Sequence, residues 1–327
     1  MKRVVVTGGA GFIGSHISFE LVNRGCHVIM LDDLSTGKLA NIEIILERPN
    51  VEFVQGSITD ITLLQRIFKD VYYVFHQAAI PSVPRSIANP HASHDVNVTG
   101  TLNVLIAARD NHVKKVIYAS SSSVYGDTPT LPKIENMKPN PQSPYALTKL
   151  TGEYYCQIFQ QVYGIPTVCL RYFNVYGPRQ DPDSEYAAVI PKFISSITNG
   201  QGPIIFGDGE QSRDFIYIKD VTEANILAAE SDATGIFNIG GGESVTINQL
   251  AKLCIKMFSN FCVNPIHEEP RLGDIKDSLA DITKAKIFGY SPKYDLEEGL
   301  YDTIRTFANE AKPSKYDETE KKPIWRA

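Results

Sequence analysis

The sequence predicts an α/β protein built on a doubly wound parallel sheet of Rossmann type, with a smaller α/β C-terminal lobe for substrate. Three observations carry this. Short β-branched runs alternate with longer amphipathic stretches as far as Tyr172. A Gly-rich turn follows the first run directly, and an acidic residue, Asp32, ends the second. Sheets of this kind carry helices on both faces and bind ligands beyond the carboxyl ends of their strands.

Val4–Thr7 is the first expected strand, and Ile13 to Arg24 the first helix, with Gly25 as its stop. Strands are expected at His27–Leu31, Val51–Val54, Val71–Phe75, Val116–Ala119 and Thr167–Tyr172. Helices are expected over Asn97–Asn111 and over Ser143–Tyr163, the second ending at Gly164. After Tyr172 turn dipeptides become frequent, beginning with the loop Gly177–Pro182. The expected organisation is therefore residues 1–174 with a return of about 214–245 as one unit, and 175–213 with 246–327 as a second. The return rests on two strand-like runs, Phe215–Ile218 and Phe237–Ile239.

The 327 residues are 43% hydrophobic and 21% charged, which is ordinary for a globular chain with a large core. A net charge of −5 argues against nucleic-acid or membrane-surface partners, which reward basic patches. Five scattered cysteines form no CxxC and no Cys/His ligand cluster, so no metal site is expected. They read as reduced thiols, and with no signal peptide or apolar run of membrane-spanning length the expected location is cytoplasmic.

Gly8, Gly11 and Gly14 lie between a strand and a helix, where they permit a tight turn and close approach of backbone to a phosphate. The helix start offers free N–H groups to a pyrophosphate. Asp32, 18 residues beyond Gly14 (32 − 14), can accept from ribose hydroxyls and would repel a 2′-phosphate, which favours NAD over NADP.

Ser143-Pro144 suits an N-cap followed by the first helical position, which puts Tyr145 and Lys149 at i and i+4 on one face. A lysine ammonium near a phenol lowers the phenol's pKa, and a tyrosine so tuned can take a proton from a sugar hydroxyl as hydride leaves the same carbon. Ser120–Ser123 follow a strand at its ligand-binding end, where one serine can bond the reacting oxygen and others can hold the sugar.

With these features together, the chain resembles the extended short-chain dehydrogenase/reductase family, and within it the UDP-hexose 4-epimerases. The resemblance covers nearly the whole length and rests on Thr7–His16, Leu31–Gly37, His76–Ala79, Asn97, Ser120–Gly126, Pro144–Lys149, Arg171–Pro178 and Arg213–Val221. It implies Ser121, Tyr145 and Lys149 as catalytic residues. Around NAD it implies Phe12 and Ile13 beside the glycines, then Asp33, Ser35, Thr36 and Gly37 beside Asp32. Ser57, Ile58, Gln77, Ala78, Ala79, Asn97 and Tyr172 complete that set. Gly56-Ser57-Ile58 departs from a G-D-[IVL] pattern that is usual in the family. For the UDP-sugar it implies Ser122, Ser123, Asn174, Val189, Ile190, Phe193 and Phe206. Arg213 and Arg271 would hold the diphosphate, a role suited to guanidinium forks, with Asp274 nearby.

Sugar-nucleotide dehydratases in this family carry an Asp-Glu pair where this chain has serines, so the resemblance implies reversible epimerisation at C4 through a transient 4-keto sugar and tightly bound NAD. Ser278 matches a position that is bulky in members limited to glucose and galactose and small in members that accept N-acetylated sugars. UDP-GlcNAc/UDP-GalNAc are therefore expected as substrates beside UDP-Glc/UDP-Gal. Two alternatives stay open: a UDP-glucuronate 4-epimerase, using Arg85 or Arg179 as the cation near C6, and a catalytically silent NAD-sensing protein. The resemblance also implies a homodimer through a four-helix contact.

Overall fold

A computed structural model of the protein describes residues 1–182, 188–258, 263–270 and 275–310. Seven parallel strands form the central sheet: β1 (Arg3–Thr7), β2 (His27–Asp32), β3 (Val51–Gln55), β4 (Tyr73–His76), β5 (Lys115–Ser121), β6 (Thr167–Tyr172) and β7 (Gly235–Ile239). Their spatial order is β7-β6-β5-β4-β1-β2-β3. The order reverses between β1 and β4, which pair with Thr7 beside His76, while β1 also pairs with β2. That reversal is a topological switch point, and a crevice opens beyond the carboxyl ends of the strands there.

Alternate residues of each strand face opposite sides of the sheet. On one side Val4, Val6, Val28 and Met30 pack with Ile17 and Leu21 of helix α1 (Phe12–Asn23). On the other, Val5, Ile29 and Leu31 pack with Val104 and Leu105 of helix α2, whose final α-helical part is Thr101–Asp110, and with Phe159 of helix α3 (Pro144–Tyr163). Helix α2 runs without a break from α-helix at Pro90–His94 through a π-helical turn at Asp95–Gly100 into α-helix at Thr101–Asp110, so it starts seven residues before its expected beginning at Asn97. Burial of each such aliphatic side chain contributes about 1.5–3 kcal/mol.

Helix α3 (Pro144–Tyr163) ends where local chemistry directs. Ser143 accepts from the Ala146 N–H at 3.1 Å, and Gly164 adopts the left-handed conformation (φ 71°) while its N–H donates to Gln160 O at 3.1 Å.

Beyond Tyr172 three two-stranded pairs form: Asn174–Tyr176 with Phe215–Tyr217, Ile204–Phe206 with Ile266–Glu268, and Ser212–Arg213 with Val245–Thr246. The run at Phe215 therefore does not rejoin the central sheet, and only Gly235–Ile239 returns, as edge strand β7 beside β6. Helices α4 (Val189–Thr198), α5 (Ile218–Glu230), α6 (Ile247–Met257) and α7 (Leu296–Glu310) complete the principal elements. No described helix is long and apolar enough to cross a membrane.

Candidate active site

The glycine turn is shaped by close approach. The Gly8 N–H donates to Leu31 O at 2.7 Å with φ at +69°, and a Cβ there would stand 2.8 Å from the Ala78 nitrogen. A Cβ on Gly14 would fall 2.0 Å from Gly8 O, so helix α1 and the turn fit together only as glycine. Gly11 caps α1 without a side-chain acceptor, and the first turn holds no acidic residue. Its N–H groups and dipole are thus directed at the crevice, as an anionic pyrophosphate requires.

Asp32 is only 8% exposed. Its carboxylate accepts from Leu34 N at 2.8 Å and Ala10 N at 3.0 Å, and burial raises its pKa above the ordinary value against those bonds. Gly37 lies against this carboxylate, where a Cβ would sit 2.7 Å from Oδ1, and it does not line the crevice. The expected residues Gly8, Gly11, Phe12, Ile13 and Gly14 do line it, followed by Asp32, Asp33, Ser35 and Thr36. Ser57, Ile58, Gln77, Ala78, Ala79 and Tyr172 form the rest of its expected wall, and Tyr145 and Lys149 close one end. An open backbone cradle with a fixed carboxylate fits a dinucleotide.

Asn97 is placed differently from expectation. It is buried behind the wall, where its amide bonds both backbone groups of Ile80 (2.8 and 3.1 Å) and Thr148 Oγ1 at 3.1 Å. It fixes Ile80, which lines the crevice in its stead. Asn225 of α5 was not legible in advance: it accepts from Tyr172 OH at 2.9 Å and from Gln77 Nε2 at 3.1 Å, so it orients two side chains of the wall. Its only sequence signal is a polar residue at a core position of an apolar helix.

Lys149 is 4% exposed and donates from Nζ to Ala119 O at 2.8 Å. Burial lowers its pKa from 10.5 to about 8. The expectation that Lys149 acidifies Tyr145 is not met. The ammonium is 5.9 Å from the Tyr145 ring centre, and burial raises the phenol's pKa, with a hydrogen bond to Ser121 as the opposing influence. In a dry site the cost of charging the phenol outweighs the attraction of an ammonium already engaged by a carbonyl.

The serines divide. Ser121 stands by the Tyr145 hydroxyl and accepts from Ser123 N at 3.1 Å and Ser123 Oγ at 2.9 Å. Ser122 and Ser123 belong to a short 3₁₀ turn, Ser122–Tyr125, and line neither cavity. Ser120 lines the crevice and donates to Glu153 Oε1 at 2.5 Å. Glu153 in turn receives a two-pronged fork from Arg171, Nε at 2.8 Å and Nη2 at 2.7 Å, with both residues buried. This pair was also missed, although Glu153 at i+4 from Lys149 shares the face of Tyr145 and was the available signal.

A second cavity lies on the other side of Tyr145. Asn174, Val189, Ile190, Phe206 and Arg213 line it as expected, together with Ser82 and Val83. Arg213 Nη1 donates to Ser212 O at 2.8 Å and Lys276 O at 3.2 Å. The Asn174 amide donates to Asp214 O at 2.9 Å. The Asp214 carboxylate is fully buried and accepts from Gly241 N, Gly242 N and Ala280 N, and burial raises its pKa to about 6. Phe193 departs from expectation: it is 1% exposed, sits in the core, and borders a separate recess with Lys192 and Ser196. Ser278 donates its N–H to Ser212 O at 3.1 Å, beside Arg213 in sequence, without lining the cavity. Arg271 and Asp274 lie outside the described residues. Tyr145 lines both cavities, so one hydroxyl-bearing ring separates a dinucleotide-shaped crevice from a pocket with an arginine at its rim.

Residues 4–240 match the NAD dependent epimerase/dehydratase family. The chain is 38% identical over 314 residues to a UDP-glucose 4-epimerase of Mycolicibacterium smegmatis, covering 94% of this chain and 99% of that one. Among solved structures it is similar to a UDP-N-acetylglucosamine 4-epimerase from Methanobrevibacter ruminantium in complex with UDP-N-acetylmuramic acid (TM-score 0.91, 46% identity, 94% of this chain and 99% of that chain). It is also similar to a UDP-glucose 4-epimerase from Thermotoga maritima with UDP-glucose (TM-score 0.90, 41% identity, 95% and 100%).

Proposed function

The chain belongs to the NAD dependent epimerase/dehydratase family, and from that premise we propose that it interconverts UDP-hexoses at C4, taking UDP-GlcNAc/UDP-GalNAc as well as UDP-Glc/UDP-Gal. It is an NAD-dependent isomerase of the UDP-sugar 4-epimerase type. The observation that carries the epimerisation chemistry is the position of Tyr145 between the two cavities.

NAD, held by the glycine turn and Asp32, would supply a reversible acceptor for the C4 hydride. The chain's own residues do the rest. Tyr145, ionised with the help of the positive charge that NAD would bring, takes up the proton of the C4 hydroxyl and gives it back when the carbonyl is reduced again. Ser121 bonds the phenol oxygen and steadies it, and Lys149 holds positive charge under the same ring. Arg213 and Asn174 grip the UDP part while the sugar turns. Residues 1–174 with the returning strand at 235–239 serve the dinucleotide in this reading, and the segments around the second cavity, Phe215 among them, serve the UDP-sugar.

The N-acetyl assignment rests on Ser278, whose backbone is tied to Ser212 beside Arg213. The resemblance makes this position small in members that accept N-acetylated sugars, and a serine fits that pattern, although Ser278 does not itself line the second cavity. The uronate reading stands beside it, with Arg85 or Arg179 as the cation near C6. Arg179 faces helix α1, with Nη1 donating to Ser15 Oγ at 3.1 Å, and neither it nor Arg85 lines the second cavity. For the dimer, Leu147, Tyr154, Ile158 and Val162 are exposed at helical spacing along α3, a stripe that a second copy would cover. Sedimentation of the purified protein tests it, and a monomer at micromolar concentration removes it.

The deciding experiment is product analysis on UDP-Glc, UDP-GlcNAc and UDP-glucuronate, repeated with Ser278→Tyr. The reading expects the first two to be epimerised and the substitution to suppress UDP-GlcNAc turnover selectively. Turnover of UDP-glucuronate alone overturns it, and unchanged UDP-GlcNAc turnover in Ser278→Tyr removes the role of Ser278.

A further inference from the structure

The loop after β2 folds back on the glycine turn. Lys38 N donates to Ala10 O at 3.0 Å, and Asn41 Nδ2 donates to the same oxygen at 2.9 Å. Ser35 and Thr36, which line the dinucleotide crevice, are carried on this loop. The Lys38 ammonium then reaches out of the loop to Asp181 Oδ2 at 2.9 Å.

Asp181 belongs to a segment that comes from far along the chain and runs over the outer face of α1. Gly177 starts it with φ +154°, where a Cβ would stand 2.3 Å from Ile218 Cγ2. The Pro178 carbonyl is hydrogen-bonded to His16 Nε2 at 3.0 Å. Arg179, also at positive φ (66°), donates to Ser15 Oγ and lays its guanidinium 4.2 Å from the Phe19 ring centre. His16, Ser15 and Phe19 all belong to α1, the helix whose N-terminus faces the pyrophosphate end of the crevice.

Two left-handed or near-extended glycine-like turns and three side-chain ties are thus spent on bringing 177–182 to a place where a carboxylate meets Lys38. We propose that Lys38 and Asp181 are retention residues: their ion pair pins the 33–38 loop over the crevice and slows the dissociation of bound dinucleotide. Neither Lys38 nor Asp181 lines the crevice itself. Its contribution is to the barrier for opening the loop, not to the chemistry at Tyr145. The side chains are 55% and 35% exposed, so the pair is modest in strength and screened by salt.

The inference rests on the dinucleotide reading of the crevice. The test is the rate at which NAD leaves the purified holoprotein when diluted into an excess of an NAD-consuming dehydrogenase, read by fluorescence. Lys38→Met and Asp181→Asn should each accelerate release roughly two- to five-fold, the range of an exposed ion pair. The exchanged pair Lys38→Asp/Asp181→Lys should return the rate toward that of the parent. Raising salt should speed release from the parent and the exchanged pair, and leave the single variants nearly unaffected. Thermal unfolding of the NAD-free forms should coincide, which separates a latch from a fold defect. Release at the parental rate in both single variants overturns the proposal, as does an exchanged pair no slower than the singles. A purified protein that carries and binds no NAD overturns the reading beneath it instead.

Discussion

The Lys149 ammonium is held by the Ala119 carbonyl at 2.8 Å and lies 5.9 Å from the centre of the Tyr145 ring. A cation buried at 4% exposure with a carbonyl as its anchor is expensive to keep charged. That cost is tied to function, because the same charge sits under the ring that must carry a proton to and from substrate.

Its pH dependence has a definite sign. The folded-state pKa is about 8 against an ordinary 10.5, so between these values the unfolded chain holds a proton that the folded one has lost. Stability therefore carries the full cost below pH 8, recovers as pH rises through the window, and is free of it above 10.5. A gap of 10.5 − 8 at 1.36 kcal/mol per pH unit corresponds to about 3 kcal/mol. Lys149→Met should be inactive yet more stable at pH 7 by as much as about 1–3 kcal/mol, part of the gain being lost with the Ala119 bond. The stability difference between the two proteins should shrink from pH 7.5 to 9.5. Parallel urea-denaturation midpoints across that range would contradict the assignment.

Tyr145→Phe should lower kcat on UDP-Glc about 10³-fold, within the range for loss of a positioned acid/base, and should leave bound NAD in place. Chromatographic product analysis gives the first quantity, and absorbance of the supernatant after heat denaturation gives the second. Turnover within tenfold of the parent would show that another group moves the proton.

Glu153 and Arg171 form a buried fork that also holds Ser120 at the crevice. Glu153→Gln should cost about 3–5 kcal/mol, because it leaves a guanidinium buried without its counter-charge. The double substitution Glu153→Leu/Arg171→Met should be less damaging to the melting temperature than the single one. Equal melting temperatures for the two would show that the pair's charges are not the source of the loss.

Asp214→Asn presents an amide nitrogen to a site where Gly241 N, Gly242 N and Ala280 N all donate. The loss should be about 2–3 kcal/mol. Since the Asp214 carbonyl also holds Asn174 at the second cavity, KM for the UDP-sugar should rise more than kcat falls. Initial rates over a range of UDP-Glc decide it: an unchanged KM would detach Asp214 from the substrate pocket.

Each strand of the sheet through β6 and both ends of α3 could be read from the chain alone, because short β-branched runs, a serine N-cap, proline at the first helical position and a glycine stop act within a few residues of themselves. The glycine turn and Asp32 were legible for the same reason: close backbone approach and a strand-end carboxylate are local requirements. What the chain could not declare were properties set by residues distant in sequence. Whether the Tyr145 phenol is acidified or suppressed depends on how much solvent its neighbours exclude, and burial won. Phe193 was turned into the core by packing that no helix determines by itself, and Asn97 was claimed by the backbone of Ile80. The return of Gly235–Ile239 to the sheet, but not of Phe215–Tyr217, was settled by which strand had a free edge to pair with. Hydrogen-bond propensities are written in the sequence, whereas desolvation and partner choice exist only once the chain has closed on itself.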